Sequence, residues 1–302
     1  MKNFQLPNQP ETLQAGHAAC AGCGLMPGVR LIQRCLGPET VFVAPACCFS
    51  VINGQYPYSA LGVPLVNCAF ETAAITAAGL RAGFDVTGAE DVLVVALAGD
   101  GGTFDIGFGA LSAAAERNEN ILYICYDNEA YMNTGIQRSG ATPSGAWTTT
   151  TPQGALKSEP KKDIGAILAA HKIPYFATAS IAWPQDFAAK LTQAKDMRGF
   201  RMIHYFCPCP TGWHADPKES IKLARLAVES RIFPLYEVMD GERWILNIVS
   251  SGAGFEEYIR LQGRFKYMQP EDIKKFKESV NRRWQKLALT GIGNARRSEI
   301  SD

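Results

Sequence analysis

Two groups of residues in this sequence have types and spacings that can do chemistry. The first is acidic and glycine-rich. Gly99-Asp100-Gly101-Gly102 follows the apolar run Val92–Ala98, and Asp127-Asn128-Glu129-Ala130 follows a second run, Ile121–Tyr126. Glycine at a strand-to-helix turn lets backbone approach a ligand closely, and a helix N-terminus favours an anion. A dinucleotide site is one reading. Its fingerprint needs Gly at the sixth position, which is Phe104 here, and Asp100 at the second position would repel a pyrophosphate. The other reading removes that conflict by placing Mg²⁺ between Asp100 and a diphosphate. Mg²⁺ takes octahedral oxygen ligands. Asp100, the Asn128 side chain and one backbone carbonyl would supply three, and diphosphate and water the rest.

The second group is the cysteines, nine in all. Cys20-Ala21-Gly22-Cys23 spaces two thiols so that both can turn to one metal centre. Zinc, iron–sulfur and thiol redox chemistry are the three readings. No second CxxC lies close by, as zinc sites usually have, and polar, Gly-containing sequence precedes the motif where a thioredoxin-type site would have a strand. The other close pairs are Cys47-Cys48 and Cys207-Pro208-Cys209. Cys35, Cys68 and Cys125 fall in apolar surroundings and read as core.

These residues need elements to position them. Val41–Ala44, Val92–Ala98, Ile121–Tyr126, Tyr175–Ala179 and Met202–Phe206 read as buried strands. Thr72–Arg81, Ile106–Arg117, Ile164–His171, Pro184–Lys195 and Pro217–Val228 read as helices, with Pro184 and Pro217 in first turns. Alternation of the two predicts an α/β fold with a mainly parallel sheet and helices on both faces. Consecutive strand ends in such a sheet lie together, so Asp100 and Asn128 can meet. Ser139–Lys162 reads as a long loop of the kind that is often functional. Glu256–Asp302 carries 11 Lys/Arg against 7 Asp/Glu and reads as an exposed or partner-docking tail with an amphipathic helix over Pro270–Leu287. No boundary divides the 302 residues, so one domain is expected, with a cysteine-bearing segment at about 14–50.

Composition narrows the partners. Lys plus Arg is 30 and Asp plus Glu is 29, so nothing draws the chain to nucleic acid or anionic lipid. Met1–Gln14 lacks the apolar centre of a signal peptide, and no run suits a membrane span. The expected location is the cytoplasm, where thiols stay reduced.

GDGGTFDIGFGAL together with YDNEAYMNTG resembles the thiamine-diphosphate signature of the β subunits of 2-oxoacid:ferredoxin oxidoreductases, the pyruvate synthase family. GHAACAGCG, PACCFSVINGQYPYSALGVP and HYFCPCPTGW resemble the cluster-binding segments of the same subunits, and ATASIAWPQD, FPLYEV and EEYIRLQGRFKYM extend the likeness over roughly residues 14–275. The resemblance implies the thiamine-diphosphate-binding fold. It implies Asp100, Asn128 and the Ala130 carbonyl as Mg²⁺ ligands, with Gly99 and Gly101 in the cofactor turn. Asn133 and Thr134 would lie beside the thiazolium and the substrate. Cys20, Cys23, Cys48 and Cys209 would hold one [4Fe–4S] cluster, with Cys47 and Cys207 as non-ligand neighbours. His17 would bond a cluster sulfur or the diphosphate. Leu25 departs from relatives with Glu at that place. The implied activity is oxidative decarboxylation of a 2-oxoacid, with single electrons passed toward ferredoxin or another acceptor, and with CoA as the expected acyl acceptor. Phenylglyoxylate- and oxalate-type members of the family are alternatives, as is a non-thiamine electron-transfer or assembly subunit. The implied partners are α, γ and δ-type subunits, α supplying the carboxylate for the aminopyrimidine and δ a ferredoxin-like module. Glu71 is the one local candidate for that carboxylate and reads better as a helix-start residue. His171, His204 and His214 show no constellation around them.

Overall fold

The expected apolar runs become the middle of one eight-stranded sheet, seen in a computed structural model that describes residues 11–291. The strands are β1 (Thr40–Pro45), β2 (Leu65–Cys68), β3 (Leu93–Gly99), β4 (Leu122–Asp127), β5 (Tyr175–Ser180), β6 (Arg201–Phe206), β7 (Tyr236–Met239) and β8 (Arg243–Leu246). Their order is β2-β1-β3-β4-β6-β5-β7-β8. The first six in that order run parallel, and β7 and β8 close one edge antiparallel. This is the α/β fold expected, and the five expected strands are all present.

The helices are α1 (Leu25–Leu36), α2 (Cys48–Asn53), α3 (Ala73–Thr87), α4 (Phe108–Glu116), α5 (Ile164–Ala170), α6 (Pro184–Asp196), α7 (Pro210–Trp213), α8 (Ser220–Glu229), α9 (Phe255–Arg260) and α10 (Pro270–Gly291). They cover both faces. Val95 and Leu97 of β3 pack with α1, α2 and α6, while their neighbours Val94, Ala96 and Ala98 pack with α3, α4 and α5. A strand buried on both sides has no polar alternation, which explains its continuous apolar sequence. Cys35 and Cys125 are buried in these cores, and Cys68 is half-buried against one of them. Among the described residues no helix is long and apolar enough to cross a membrane.

As far as residue 291 the expected tail packs on the chain itself along one stripe, with its other face exposed. α9 and α10 bury Phe255, Tyr258, Ile259, Phe276, Val280, Trp284 and Leu287 against the chain's own body. The amphipathic helix is present, but its apolar stripe serves the fold. The remainder of the tail lies outside the described residues.

Strand order decides what meets at the C-terminal edge. β1, β3, β4 and β6 are neighbours, and each delivers a site residue just past its end: Cys48, Asp100, Asn128 and Cys209.

Candidate functional site

Asp100 follows β3 and is buried, 1% exposed. Ser139 Oγ donates to its Oδ2 at 2.5 Å. The Asn128 amide lies 2.9 Å from Asp100 Oδ1 and 3.0 Å from the Ala130 carbonyl oxygen. With its nitrogen inward, Asn128 donates to both acceptors. With its oxygen inward, three oxygens face one point, an arrangement that needs a cation at its centre. The donor set is therefore hard, oxygen-only and convergent, which fits Mg²⁺. Gly101 is required for a local reason: a Cβ there would stand 2.5 Å from the Tyr131 ring. A π-helical turn over Gly102–Ile106 follows, a feature that often marks functional sites. Its Asp105 Oδ2 accepts from Tyr131 Oη at 3.0 Å and from the Gly140 N–H at 2.8 Å.

A buried charge network underlies this turn. Asp127 pairs with Lys161 and lies 2.7 Å from His204 Nε2. Lys161 also pairs with Glu129 at 2.8 Å, and Glu129 with Arg264 at 2.6 Å. The Arg264 guanidinium sits 4.0 Å from the Trp213 ring centroid, and Trp213 Nε1 donates to the Asn128 carbonyl at 2.8 Å. Glu129 holds a left-handed φ of +66°, where the Asp127 carboxylate accepts from its N–H at 2.9 Å. Burial, then the charge of Asp127, pushes Asp100 well above the ordinary carboxylate range, with Ser139 and Lys161 opposing. Burial acts the same way on Asp127, but Lys161 and His204 outweigh it and hold that group at about 2. Burial would lower Lys161, yet Asp127 and Glu129 raise it. Burial lowers His204 against the pull of Asp127, which favours the neutral ring. Of the three carboxylates, Asp127 and Glu129 pair with Lys161 and Arg264, and Asp100 has no ion-pair partner among the described residues. A divalent cation beside Asp100 would favour its ionised form and supply the partner that it lacks.

Sequence reading missed Lys161, His204 and Arg264. His204 has a constellation after all, in Asp127 and the Phe104 and Phe233 rings. The His214 ring lies tilted against Trp147, and His171 meets Ser112. The available signal for Lys161 was its place in the long Ser139–Lys162 loop, which supplies both Ser139 and Lys161.

The cysteines gather beside this site. The CxxC loop is fastened to the Cys207–Cys209 turn: Gly24 N donates to the Pro208 carbonyl at 3.0 Å, and Tyr205 Oη donates to the Gly24 carbonyl. Ser220 Oγ donates to the Gly22 carbonyl at 2.6 Å. Gly22 has a φ of +69°, and a Cβ there would meet the Pro217 carbonyl oxygen at 2.5 Å, so only glycine fits. Burial, then the neighbouring Cys209, Cys47 and Cys23 thiols, pushes Cys48 up to about 12. Burial pushes Cys209 up to about 11, with Cys23 and Cys20 adding to it. The four thiols therefore share one neighbourhood, which Cys47 and Cys207 border as well. Among the described residues, no three His, Cys, Asp or Glu side chains stand at single-ion spacing. Cys47 is used differently: it forms a capping box with Ser50 at the start of α2 and hydrogen-bonds Tyr126. Cys207 is buried in the core.

One cleft of about 230 Å³ is lined by Cys48, Asp100, Asn128, Ala130, Asn133 and Thr134, together with Gly99 and Gly101. Asn133 and Thr134 are exposed at its mouth, with Thr134 Oγ1 donating to Gln137 Oε1 at 2.5 Å. His17 lines a separate cavity with Cys20 and Cys23, so of its two expected roles the structure separates it from the Asp100 turn. Glu71 is exposed ahead of α3 and does not line the cleft.

Residues 52–205 match the thiamine pyrophosphate enzyme family, in its C-terminal TPP binding domain. The chain is 48% identical to the ketoisovalerate oxidoreductase subunit VorB of Pyrococcus furiosus, over 92% of each chain. It is 47% identical to the pyruvate synthase subunit PorB of Methanothermobacter thermautotrophicus, over 95% of this chain and 100% of that one. Among solved structures, the 2-oxoglutarate:ferredoxin oxidoreductase of Magnetococcus marinus shares the fold, with a TM-score of 0.58 and 23% identity over 74% of this chain and 81% of that one. With the cofactor-type turn, Cys48 and Cys209 on neighbouring strand ends, the chain belongs to the thiamine pyrophosphate enzymes and, within them, to the β subunits of 2-oxoacid:ferredoxin oxidoreductases.

Proposed function

We propose that this chain is the cofactor-bearing β subunit of a complex that oxidatively decarboxylates a small 2-oxoacid. The observation that carries the reading is the shared cleft, in which Cys48 and the Asp100–Asn128–Ala130 oxygens line one space. Thiamine diphosphate, when bound, supplies an acidic carbon that adds to the 2-oxo group and accepts the electrons left as CO₂ departs, and a [4Fe–4S] cluster passes electrons on singly.

The protein's part is positioning. Asp100, Asn128 and the Ala130 carbonyl hold Mg²⁺ against the diphosphate. Ser139 fixes the Asp100 carboxylate, and Trp213 fixes the Asn128 backbone. Cys20, Cys23, Cys48 and Cys209 hold the cluster beside the cofactor. Asn133 and Thr134 flank the substrate at the cleft mouth. Nine free thiols suit a reducing compartment such as the cytoplasm. Relatives named for pyruvate and ketoisovalerate support a small aliphatic acid. The proposed product is an acyl-CoA, and the proposed electron acceptor is ferredoxin or another subunit. The aminopyrimidine carboxylate comes from a partner subunit, as the exposed position of Glu71 supports.

The test is anaerobic purification of the complex, with iron, sulfide and thiamine diphosphate measured per β chain. Viologen reduction by a panel of 2-oxoacids is then read with and without CoA. Four irons per chain and CoA-dependent reduction are expected. A colourless, zinc-loaded chain would overturn the reading.

A further inference from the structure

The turn that follows β6 touches both groups of functional residues. Cys207 N donates to the Asp127 carbonyl at 2.9 Å, which pins the start of the turn to the end of β4. The Pro208 carbonyl accepts from Gly24 N, just past the CxxC pair. Cys209 stands directly ahead of α7, where a hydrogen bond from the Gly212 N–H opposes the upward push of burial on its thiol. The next residue is Trp213. Its backbone N–H donates to the Cys209 carbonyl at 2.9 Å, and its indole Nε1 donates to the Asn128 carbonyl at 2.8 Å. One side chain and its own backbone thus hold Cys209 at one end and Asn128 at the other.

The indole is not free to move by itself. Trp213 is buried, with the Arg264 guanidinium on its ring and the Phe206 ring centroid 5.5 Å away. Arg264 is buried too, and its partner Glu129 directly follows Asn128. One residue before the indole, a Cβ at Gly212 would collide with the Met132 thioether, so α7 lies against the residue that precedes Asn133. Packing this close passes a displacement on instead of absorbing it. A shift of the Cys209 turn is therefore carried to Asn128.

We propose that Trp213 is a positioning residue that couples the thiol set to the Asp100–Asn128–Ala130 set, so that filling either one favours filling of the other. The inference rests on the reading that this chain holds both the cluster and the diphosphate. Such coupling is reciprocal: if the diphosphate site steadies the Cys209 turn, a loaded thiol set steadies Asn128 by the same factor. Cys48 lines the cofactor cleft, so direct contact across the cleft is the competing route, and that route does not need Trp213.

The test uses the anaerobically purified complex, freed of thiamine diphosphate by dialysis without Mg²⁺. Equilibrium dialysis gives the affinity for thiamine diphosphate with Mg²⁺, and iron release to a chelating dye is timed with and without both at saturation. In the unmodified complex the ligands should slow one phase of iron release severalfold. Trp213→Phe keeps a ring for Arg264 and removes only the indole donor. It should bind thiamine diphosphate about fivefold more weakly, the worth of one hydrogen bond. Even at saturation, its iron should leave at the ligand-free rate. Protection that survives at saturation, unchanged affinity in the variant, or no protection in the unmodified complex would overturn the coupling. Should Trp213→Phe take up no iron, Arg264→Lys carries the comparison, since it keeps the indole and both ligand sets and removes the planar group on the ring. Protection should then fall by half or more, and full protection would overturn the proposal. An unmodified complex that held neither iron in this chain nor thiamine diphosphate would remove the functional reading and this inference together, whereas loss of coupling with both groups bound removes the inference alone.

Discussion

At Asp100 the fold accepts a cost. A buried carboxylate is disfavoured by its loss of hydration, and Ser139 and Lys161 offset this only in part. Asp100→Asn removes the charge and keeps the shape. The variant should unfold at the same temperature as the unmodified protein or higher when metal is absent, and should lose the stabilisation that Mg²⁺ with thiamine diphosphate gives. A thermal melt with and without both ligands reads the two effects together. If the variant kept its ligand-dependent shift, Asp100 would not be the ligand. The adjacent cysteines separate in the same way. Cys47 caps α2, a task that serine performs well, whereas Cys48 is the neighbour that senses Cys23 and Cys209. Cys47→Ser should keep iron and the brown absorbance, and Cys48→Ser should lose most of both. Equal loss in the two variants would show that the capping box is not what distinguishes them.

At the scale of elements, legibility follows burial and distance along the chain. β3 and β4 were readable because both their faces are covered. β2, β7 and β8 were not, since each has only four residues and β7 carries Glu237, whose partner Tyr175 is 62 residues away. Asp100 and Asn128 were legible because each stands directly after a strong strand signal. Arg264 was not, because its partner Glu129 lies 135 residues earlier. The long loop after β4 was legible as a loop, but its fastening was hidden. Lys157 Nζ donates to the Glu159 carbonyl at 2.6 Å and the Pro160 carbonyl at 3.2 Å, just ahead of Lys161. Burial, then the charge of Arg138, lowers Lys157 to about 8 from its ordinary 10.5. Between those values the unfolded chain binds the extra proton, so this residue stabilises the fold increasingly as pH rises. The difference in unfolding temperature between the unmodified protein and Lys157→Met should therefore widen in favour of lysine from about pH 7.5 to about pH 9.5. A difference that stays flat with pH would mean that Lys157 is not held in this buried setting.

Across the whole molecule, the chemistry sits at one edge of the sheet, and so does a group of exposed apolar side chains. Val51, on α2 beside Cys48, is 56% exposed, and Tyr56 and Tyr58, in the loop that follows, are 93% and 88% exposed. Val51 also lines the cofactor cleft. Large apolar side chains left in water together mark an interaction surface. The relatives are named as subunits, and the cleft mouth at Asn133 and Thr134 is open, so the partner that completes the cleft should cover this face. Assembly would then bury all three side chains and exclude water from the cleft, which strengthens every charge interaction inside it. Val51→Asp and Tyr58→Asp place a charge in that contact without touching the core. Each should leave the circular dichroism of the isolated chain unchanged, while the chain should no longer co-purify with its partners through size exclusion. Normal assembly of the doubly substituted chain would move the interface elsewhere and leave the exposed tyrosines without a role in it.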